Sequence, residues 1–271
     1  MTSEGTNENS TGDSLENKAA ELLRLHQDPT LLTVVNVWDS ISAKVVADTP
    51  GTAAIATASH AIAASWGYPD GEKIPVDTMI GAVGRIVEAT TLPVTADLEA
   101  GYGDPAGTIR KAIGVGVVGA NVEDQMRPLD EAARNVALIM DAAISEGVPD
   151  FVLNARTDAF VLGKDRDPAD VLADAVERGK AYLEAGAPTV FVPGLLDEEQ
   201  ISTLVEAFGP QKLTVIGFPG SVALDRLAEL GVARISYGPQ PQRVALTALQ
   251  KLVESIHRGG GVDPSTRQHL T

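Results

Sequence analysis

Two acidic residues at the end of a short apolar stretch are the first candidates for chemistry. Residues 92–94 read Leu-Pro-Val, and Asp97 and Glu99 follow, two positions apart. Side chains alternate along a strand, so both carboxylates are expected on one side, where they would repel each other. Mg²⁺ is the simplest partner for such a pair because it takes oxygen ligands, and Gly101 and Gly103 permit a tight loop beside it. The alternative is a solvated acidic turn followed by a glycine loop.

The composition excludes several classes of function. The chain has 271 residues, 44% of them hydrophobic, and no cysteine, so disulfides, thiolate metal sites and cysteine nucleophiles are absent. A net charge of −16 repels nucleic-acid phosphates and anionic lipid surfaces. No apolar run approaches the roughly 20 residues that span a bilayer, and residues 1–15 carry no signal segment. We expect a cytoplasmic protein that acts on a small molecule.

Apolar runs and helical patterns alternate along the chain. We predict a disordered tail at 1–17, a single domain at 18–258 and a flexible tail at 259–271. The predicted strands are 33–37, 52–58, 93–96, 117–122, 151–155, 189–192, 213–216 and 234–236. The predicted helices are 18–26, 40–48, 76–90, 105–115, 129–146, 168–185, 197–208, 221–230 and 242–257. Eight strand-then-helix units predict an α/β fold of the (β/α)8 TIM-barrel type, and an open doubly wound sheet is the alternative.

Polar residues collect where the first five predicted strands end, which is the end of a barrel that carries chemistry. They are Asn36, Trp38 and Asp39, then Ser59 and His60, then Asp97 and Glu99, then Asn121, Glu123 and Asp124, then Asn154, Arg156, Thr157 and Asp158. Glu123 could join the two earlier carboxylates around a metal, and Arg156 could hold a carboxylate or phosphate with two parallel hydrogen bonds. The alternative is that these groups cap helices or form ion pairs, which suits Asp39 and Asp124. A lone histidine such as His60 is more often a packing residue than a ligand.

Four segments together resemble a known family. Residues 97–103 (Asp-Leu-Glu-Ala-Gly-Tyr-Gly), 121–125 (Asn-Val-Glu-Asp-Gln), 154–158 (Asn-Ala-Arg-Thr-Asp) and 66–70 (Trp-Gly-Tyr-Pro-Asp) resemble the isocitrate lyase/phosphoenolpyruvate mutase superfamily in order and spacing. The resemblance implies an α/β barrel whose last helix is exchanged between the subunits of a homodimer or homotetramer. It also implies Mg²⁺ as the cofactor and a small 2-oxo or 2-hydroxy carboxylate as the substrate.

By position, the resemblance implies a role for each residue of the metal site. Asp97 is similar to the direct metal ligand, and Glu99 and Glu123 are similar to partners that act through water. Glu99 stands where the family more usually has aspartate.

The substrate residues are implied in the same way. Arg156 resembles the anion-binding arginine, and Ser59, with the backbone of His60 and Ala61, resembles the site of the substrate carboxylate. We also place Trp38 among the substrate-binding residues.

The catalytic assignment is less complete. Asp70 resembles the loop aspartate near the reacting centre, and we count Asp70, Arg156 and Tyr102 as catalytic candidates. The lyase branch carries a loop with lysine and cysteine after its fourth strand, and the mutase and phosphonopyruvate hydrolase branches carry a longer loop with lysine, threonine and asparagine. Here residues 125–129 read Gln-Met-Arg-Pro-Leu. The decarboxylase-like branch places a histidine near strand eight, and residues 236–239 contain none.

We therefore predict a Mg²⁺-dependent enzyme that makes or breaks a C–C bond in an oxo or hydroxy dicarboxylate through an enolate-type intermediate. Lyase or decarboxylase chemistry is the main prediction. C–P bond chemistry is one alternative, and a non-catalytic protein that binds 2-oxo acids on the same scaffold is another. The general acid or base stays open among Asp70, His60 and Tyr102.

Overall fold

A computed structural model describes residues 14–266, in which helices alternate with parallel strands. The strands are β1 (Leu32–Thr33), β2 (Val35–Val37), β3 (Ile55–Thr57), β4 (Val94–Asp97), β5 (Gly119–Glu123), β6 (Val152–Arg156), β7 (Thr189–Phe191), β8 (Leu213–Ile216) and β9 (Arg234–Ser236). The helices are α1 (Leu15–Gln27), α2 (Ser40–Ala47), α3 (Ser59–Ser65), α4 (Val76–Glu88), α5 (Pro105–Gly114), α6 (Leu129–Ser145), α7 (Ala159–Leu162), α8 (Pro168–Glu184), α9 (Glu198–Phe208), α10 (Leu224–Leu230) and α11 (Gln240–His257).

The sheet closes on itself through its first strand. The strand order is β1-β9-β8-β7-β6-β5-β4-β3-β2, and all neighbours run parallel. β1 and β2, at the two ends of this order, are consecutive in the chain and are separated only by Val34, whose N–H donates to the Ile235 carbonyl at 3.0 Å. They form one interrupted strand of an eight-membered barrel, so the predicted TIM-type fold is confirmed.

Helix starts agree with the capping signals in the sequence. Asp39 caps α2 and Asp197 caps α9, each in a capping box in which the third helical residue bonds back to the cap. Asp104 caps α5, and Pro105 occupies the first helical position, where its missing N–H costs nothing. The strands between these helices are almost wholly buried, as expected when helices cover the outside of a parallel barrel.

The main differences from the predicted elements are short helices. α3 and α7 begin within three residues of the preceding strand ends and were predicted as loop. Neither has a side-chain cap, and four and seven residues are too few for a recognisable helical period.

The predicted tails fall mostly outside the described residues. Residues 1–13 and 267–271 are not described, but α1 begins at Leu15 with Ser14 as its cap, so the prediction that 15–17 belong to a disordered tail was wrong. Residues 261–266 contain neither helix nor strand.

α1 covers the amino-terminal end of the barrel. A Cβ on Gly119, the first residue of β5, would lie 2.7 Å from Cδ2 of Leu22 and 3.3 Å from Oγ1 of Thr95. Gly119 therefore leaves room for the Leu22 side chain to fill the space at this end of the barrel. The opposite, carboxyl-terminal end stays free for side chains that bind ligands.

α11 lies differently from the other long helices. Of its residues only Gln242 is buried, whereas the apolar residues Leu246, Leu249, Val253 and Ile256 are 42% to 56% exposed. Within residues 14–266, no helix is both long and apolar enough to cross a membrane.

Candidate active site

Asp97 ends β4 and is held by the start of α3. Its Oδ2 accepts hydrogen bonds from the Ser59 hydroxyl at 2.7 Å and from the Ser59 N–H at 3.0 Å. The Asp97 N–H in turn donates to the Thr57 hydroxyl at 3.0 Å. Among residues 14–266, Oδ1 of Asp97 has no hydrogen-bond donor, so one carboxylate oxygen has a fixed orientation and an available lone pair.

Glu99 lies beyond the end of the strand. β4 stops at Asp97, and Glu99 has a left-handed backbone with φ of 52°, so the argument that strand alternation places both carboxylates on one side was wrong. The Glu99 side chain is buried and accepts hydrogen bonds from the Glu72 N–H and, at 3.2 Å, from the Tyr102 hydroxyl. The two carboxylates are nonetheless neighbours, because the charge of Asp97 contributes to the raised pKa of Glu99.

Glu123 and Arg156 meet at the ends of the two adjacent strands β5 and β6. Their Cα atoms are register partners, and Nη1 of Arg156 lies 2.7 Å from Oε2 of Glu123. Nη2 of Arg156 lies 2.7 Å from Oδ1 of Asp158, and its Nε donates to the same oxygen. The arginine predicted to bind an anion thus faces the carboxylate cluster, but protein carboxylates occupy its guanidinium in this conformation.

The cluster carries more negative charge than its arginine neutralises. Burial raises the pKa of Glu123 to about 8 against the lowering effect of Arg156, and the charges of Asp158, Asp97 and Glu99 add to the rise. Burial likewise raises the pKa of Glu99 to about 6, helped by Asp97 and Asp70. Each carboxylate is therefore costly to ionise unless a cation is present.

These residues fit a hard cation by the chemistry of their donors. They offer only oxygen ligands, they repel one another, and Asp97 has a free oxygen in a fixed position. Within the described part of the chain, no three acidic or histidine side chains are grouped closely enough to ligate one ion directly. The fitting arrangement is one direct ligand with the others acting through water, which is usual for Mg²⁺. Asp97, with Glu99 and Glu123 behind water, stays the prediction for the metal site.

The predicted substrate residues are only partly brought together. Ser59, His60 and Ala61 form the first turn of α3, where N–H groups have no partners within the helix, but the Ser59 N–H and hydroxyl are already used by Asp97. Trp38 is half-buried against the hydrophobic core, and its N–H donates to the Ser42 hydroxyl. The assignment of these residues to the substrate stays a prediction.

His60 and Asp70 form a pair at the edge of the site. Nδ1 of His60 lies 3.2 Å from Oδ2 of Asp70, and the two side chains are 43% and 55% exposed. The expectation that His60 is a packing residue was therefore wrong, because α3 directs its ring outward. Asp70 also acts on the pKa of Glu99, so the pair lies close to the acidic cluster.

Tyr102 supports Glu99. Burial and the charge of Glu99 raise the pKa of the Tyr102 phenol far above its ordinary value, so it keeps its proton and donates it to Glu99. The Tyr102 N–H donates to the Glu72 carboxylate, and Gly101 permits this turn because a Cβ there would lie 2.6 Å from Cα of Pro105. Sequence reasoning missed Glu72, which lies distant in the chain and has no motif around it.

Asp124 has a structural role, as its alternative interpretation predicted. It is buried and accepts hydrogen bonds from the Tyr182 hydroxyl, from Arg178 at 3.1 Å and from the N–H groups of Met126 and Asp158. It thereby fixes the short connection between β5 and α6, which leaves no room for a long loop over the site.

Comparison with known proteins agrees with this geometry. The model of the family described as phosphoenolpyruvate phosphomutase matches residues 22–257. The uncharacterized protein Rv1998c of Mycobacterium tuberculosis (strain ATCC 25618 / H37Rv) is 31% identical over 237 residues, 87% of this chain and 88% of its own. The 2,3-dimethylmalate lyase of Eubacterium barkeri is 27% identical over 230 residues, 79% of this chain and 76% of its own.

A solved structure is also similar. A provisionally assigned phosphonomutase from Burkholderia cenocepacia J2315 has a TM-score of 0.83 and 40% identity, and the match covers 91% of this chain and 100% of that one. The matched segment includes the whole barrel and every residue of the candidate site. The chain therefore belongs to the phosphoenolpyruvate phosphomutase family, within the isocitrate lyase/phosphoenolpyruvate mutase superfamily.

Proposed function

We propose that this protein is a Mg²⁺-dependent lyase that makes or breaks a C–C bond in a small 2-oxo or 2-hydroxy carboxylate through an enolate-type intermediate. The observation that carries the proposal is the buried contact of Glu123 with Arg156 beside Asp97, in a cluster where burial raises the pKa of Glu123 to about 8. When bound at this cluster, Mg²⁺ supplies stabilisation of the negative charge that develops on the oxo oxygen.

Each residue of the cluster has a distinct task. Ser59 orients Asp97 through two hydrogen bonds, so that the remaining oxygen points in one direction without further ordering. Arg156 binds the substrate carboxylate with its planar guanidinium, and Asp158 keeps that guanidinium in place from the other side. The incoming carboxylate replaces Glu123 at Nη1, a contact at the exposed edge of the arginine.

Of the three candidates for acid and base, the His60–Asp70 pair fits best. Asp70 engages Nδ1 of His60, which fixes the ring and leaves Nε2 to take up or deliver a proton at the substrate. Tyr102 does not fit, because its pKa is raised and its hydroxyl is committed to Glu99. The pair would thus replace the acid–base residue that the loop after β5 is too short to carry.

Steady-state assays with oxaloacetate, 2-methylisocitrate, 2,3-dimethylmalate and phosphonopyruvate, each with and without Mg²⁺, test the function. We expect Mg²⁺-dependent turnover of at least one carboxylate with release of a 2-oxo acid. His60→Gln should lower kcat by about 100-fold or more with little change in KM, whereas His257→Gln, at the exposed end of α11, should change neither. Equal activity of both variants would remove His60 from the mechanism.

C–P bond chemistry is the second candidate function. The family match and the 40% identity to a provisionally assigned phosphonomutase favour it. Turnover of phosphonopyruvate without turnover of the carboxylates would replace the lyase proposal with this one.

A non-catalytic binding role is the third candidate. The five residues between the ends of β5 and α6 contain neither lysine nor cysteine, which favours it. Binding of 2-oxo acids with no turnover of any of the four compounds would support it.

We also propose that the protein assembles as a homodimer or homotetramer through α11, exchanged between subunits. Leu246, Leu249, Val253 and Ile256 form one apolar stripe at helical spacing, and they are 42% to 56% exposed in the single chain. Leu249→Asp should shift the mass in sedimentation toward the monomer, and Lys251→Asp on the same helix should not. A monomeric wild-type protein would contradict this proposal.

A further inference from the structure

A buried arginine lies beneath the candidate active site. Arg234 opens β9, and its side chain is 0% exposed. When β1 and β2 are counted as one strand, β9 and β5 lie on opposite sides of the barrel, with three strands between them in either direction. Nη2 of Arg234 nevertheless donates to Oδ1 of Asn121 on β5 at 3.1 Å. The side chain therefore crosses the interior of the barrel.

Neutral groups hold the far end of this arginine. Asn121 accepts a second hydrogen bond from Nδ2 of Asn154 at 2.8 Å, and Oδ1 of Asn154 accepts from the hydroxyls of Thr214 at 2.7 Å and Thr189 at 3.0 Å. Asn121 is also the register partner of Asp97 on the neighbouring strand. Strands lie about 4.8 Å apart, so the guanidinium is within roughly 8 Å of the Asp97 carboxylate.

The charge of Arg234 is not neutralised by contact. Within residues 14–266 it forms no ion pair, and its Nε and Nη1 have no hydrogen-bond partner. Burial lowers the pKa of Arg234 to about 10, against the effect of Asp97, so it stays charged at neutral pH. His26 also faces it, and burial together with the Arg234 charge lowers the pKa of His26 to about 3. By contrast, Arg156 contacts two carboxylates.

We propose that Arg234 is a specificity-determining residue whose positive charge, fixed under the floor of the site, weakens the binding of a divalent cation and strengthens the binding of an anionic substrate. The inference rests on the proposed metal site. Charges in the protein interior are poorly screened, so a cation on Asp97 is repelled and a carboxylate above it is attracted. Arg234 thereby favours joint occupancy by metal and substrate over occupancy by the metal alone.

Calorimetric titration at pH 8.5 with MgCl₂, and then with oxalate in saturating MgCl₂, tests this inference. Arg234→Met removes the charge at similar length. We expect about tenfold tighter Mg²⁺ binding and about tenfold weaker oxalate binding, from one charge acting at roughly 8 Å in a medium of intermediate dielectric. Damage to the packing would weaken both ligands, so the opposite signs distinguish an electrostatic role from a structural one.

Two controls accompany the variant. Arg234→Lys keeps the charge and should keep both dissociation constants within about threefold, and Thr189→Val removes a hydrogen bond from the same interior network without changing charge. If circular dichroism shows Arg234→Met to be unfolded, Arg234→Gln takes its place. If both neutral variants are unfolded, a change above threefold in Arg234→Lys overturns the inference.

Unchanged or weaker Mg²⁺ binding in a folded neutral variant also overturns it. A wild-type protein that takes up no Mg²⁺ instead refutes the proposed metal site itself, so the two failures are distinguishable.

Discussion

Neutralising Glu123 should change the pH dependence of stability in a defined window. Burial raises the pKa of Glu123 from 4.5 to about 8, so the folded metal-free protein holds a proton that the unfolded chain releases. Stability from this group is fully present below pH 4.5 and is lost as pH rises through about 8. At 1.36 kcal/mol per pKa unit, the shift corresponds to about 5 kcal/mol.

The substitution Glu123→Gln keeps the shape and removes the titration. We expect its free energy of unfolding, measured by urea denaturation without Mg²⁺, to fall less than that of the wild type between pH 6 and 8. Below pH 6 both proteins share the titration of Glu99, whose pKa is raised to about 6, so the difference should appear mainly above that pH. The variant should therefore be the more stable protein at pH 8.5.

Glu177→Gln, on the exposed face of α8, is the matched control and should follow the wild-type curve. Parallel curves for the wild type and Glu123→Gln would refute the reasoning. They would mean that Arg156, 2.7 Å away, keeps Glu123 ionised in the folded protein and that burial does not dominate.

Three further predictions concern the same strand ends. Asp97→Asn should weaken Mg²⁺ binding by about 100-fold or more in calorimetry, because it replaces the charged direct ligand; the exposed control Asp77→Asn should not, and retained affinity would refute the assignment. Mg²⁺ affinity should rise from pH 6 to 8, by up to about tenfold per pH unit for each proton displaced, because Glu123 must lose its proton first; a flat profile would exclude it from the site. Asp124→Asn should lower the free energy of unfolding by about 3 kcal/mol or more, because it leaves the buried Arg178 without a full partner; a variant as stable as the wild type would contradict this role.

The order and type of the main elements could be read from the sequence because local chemistry determines them. Continuous apolar runs such as 213–216 can only be buried strands in a parallel sheet, and the structure has β8 at the same residues. Asp39 and Asp104 mark helix starts through side chains that bond to amides three residues away. Such signals act within one turn of chain.

The candidate site could be located for a similar reason. Barrel strands end at one rim, so listing the polar residues at strand ends collects Asp97, Glu123 and Arg156 without knowledge of their distances. What failed was the local geometry beyond the strands. Glu99 leaves the strand conformation at φ of 52°, and its partner Glu72 approaches from a loop 27 residues away.

The sequence by itself therefore determined the barrel, its strand ends and the identity of the acidic groups, since each follows from periodicity and residue type along the chain. Only the tertiary structure decided which charges meet. Arg156 is paired with two carboxylates, whereas Arg234, which has no recognisable motif, crosses the barrel to a neutral amide and keeps an uncompensated charge. The physical reason is that burial and distance between residues far apart in the chain fix the strength of an electrostatic interaction, and neither is written in local sequence.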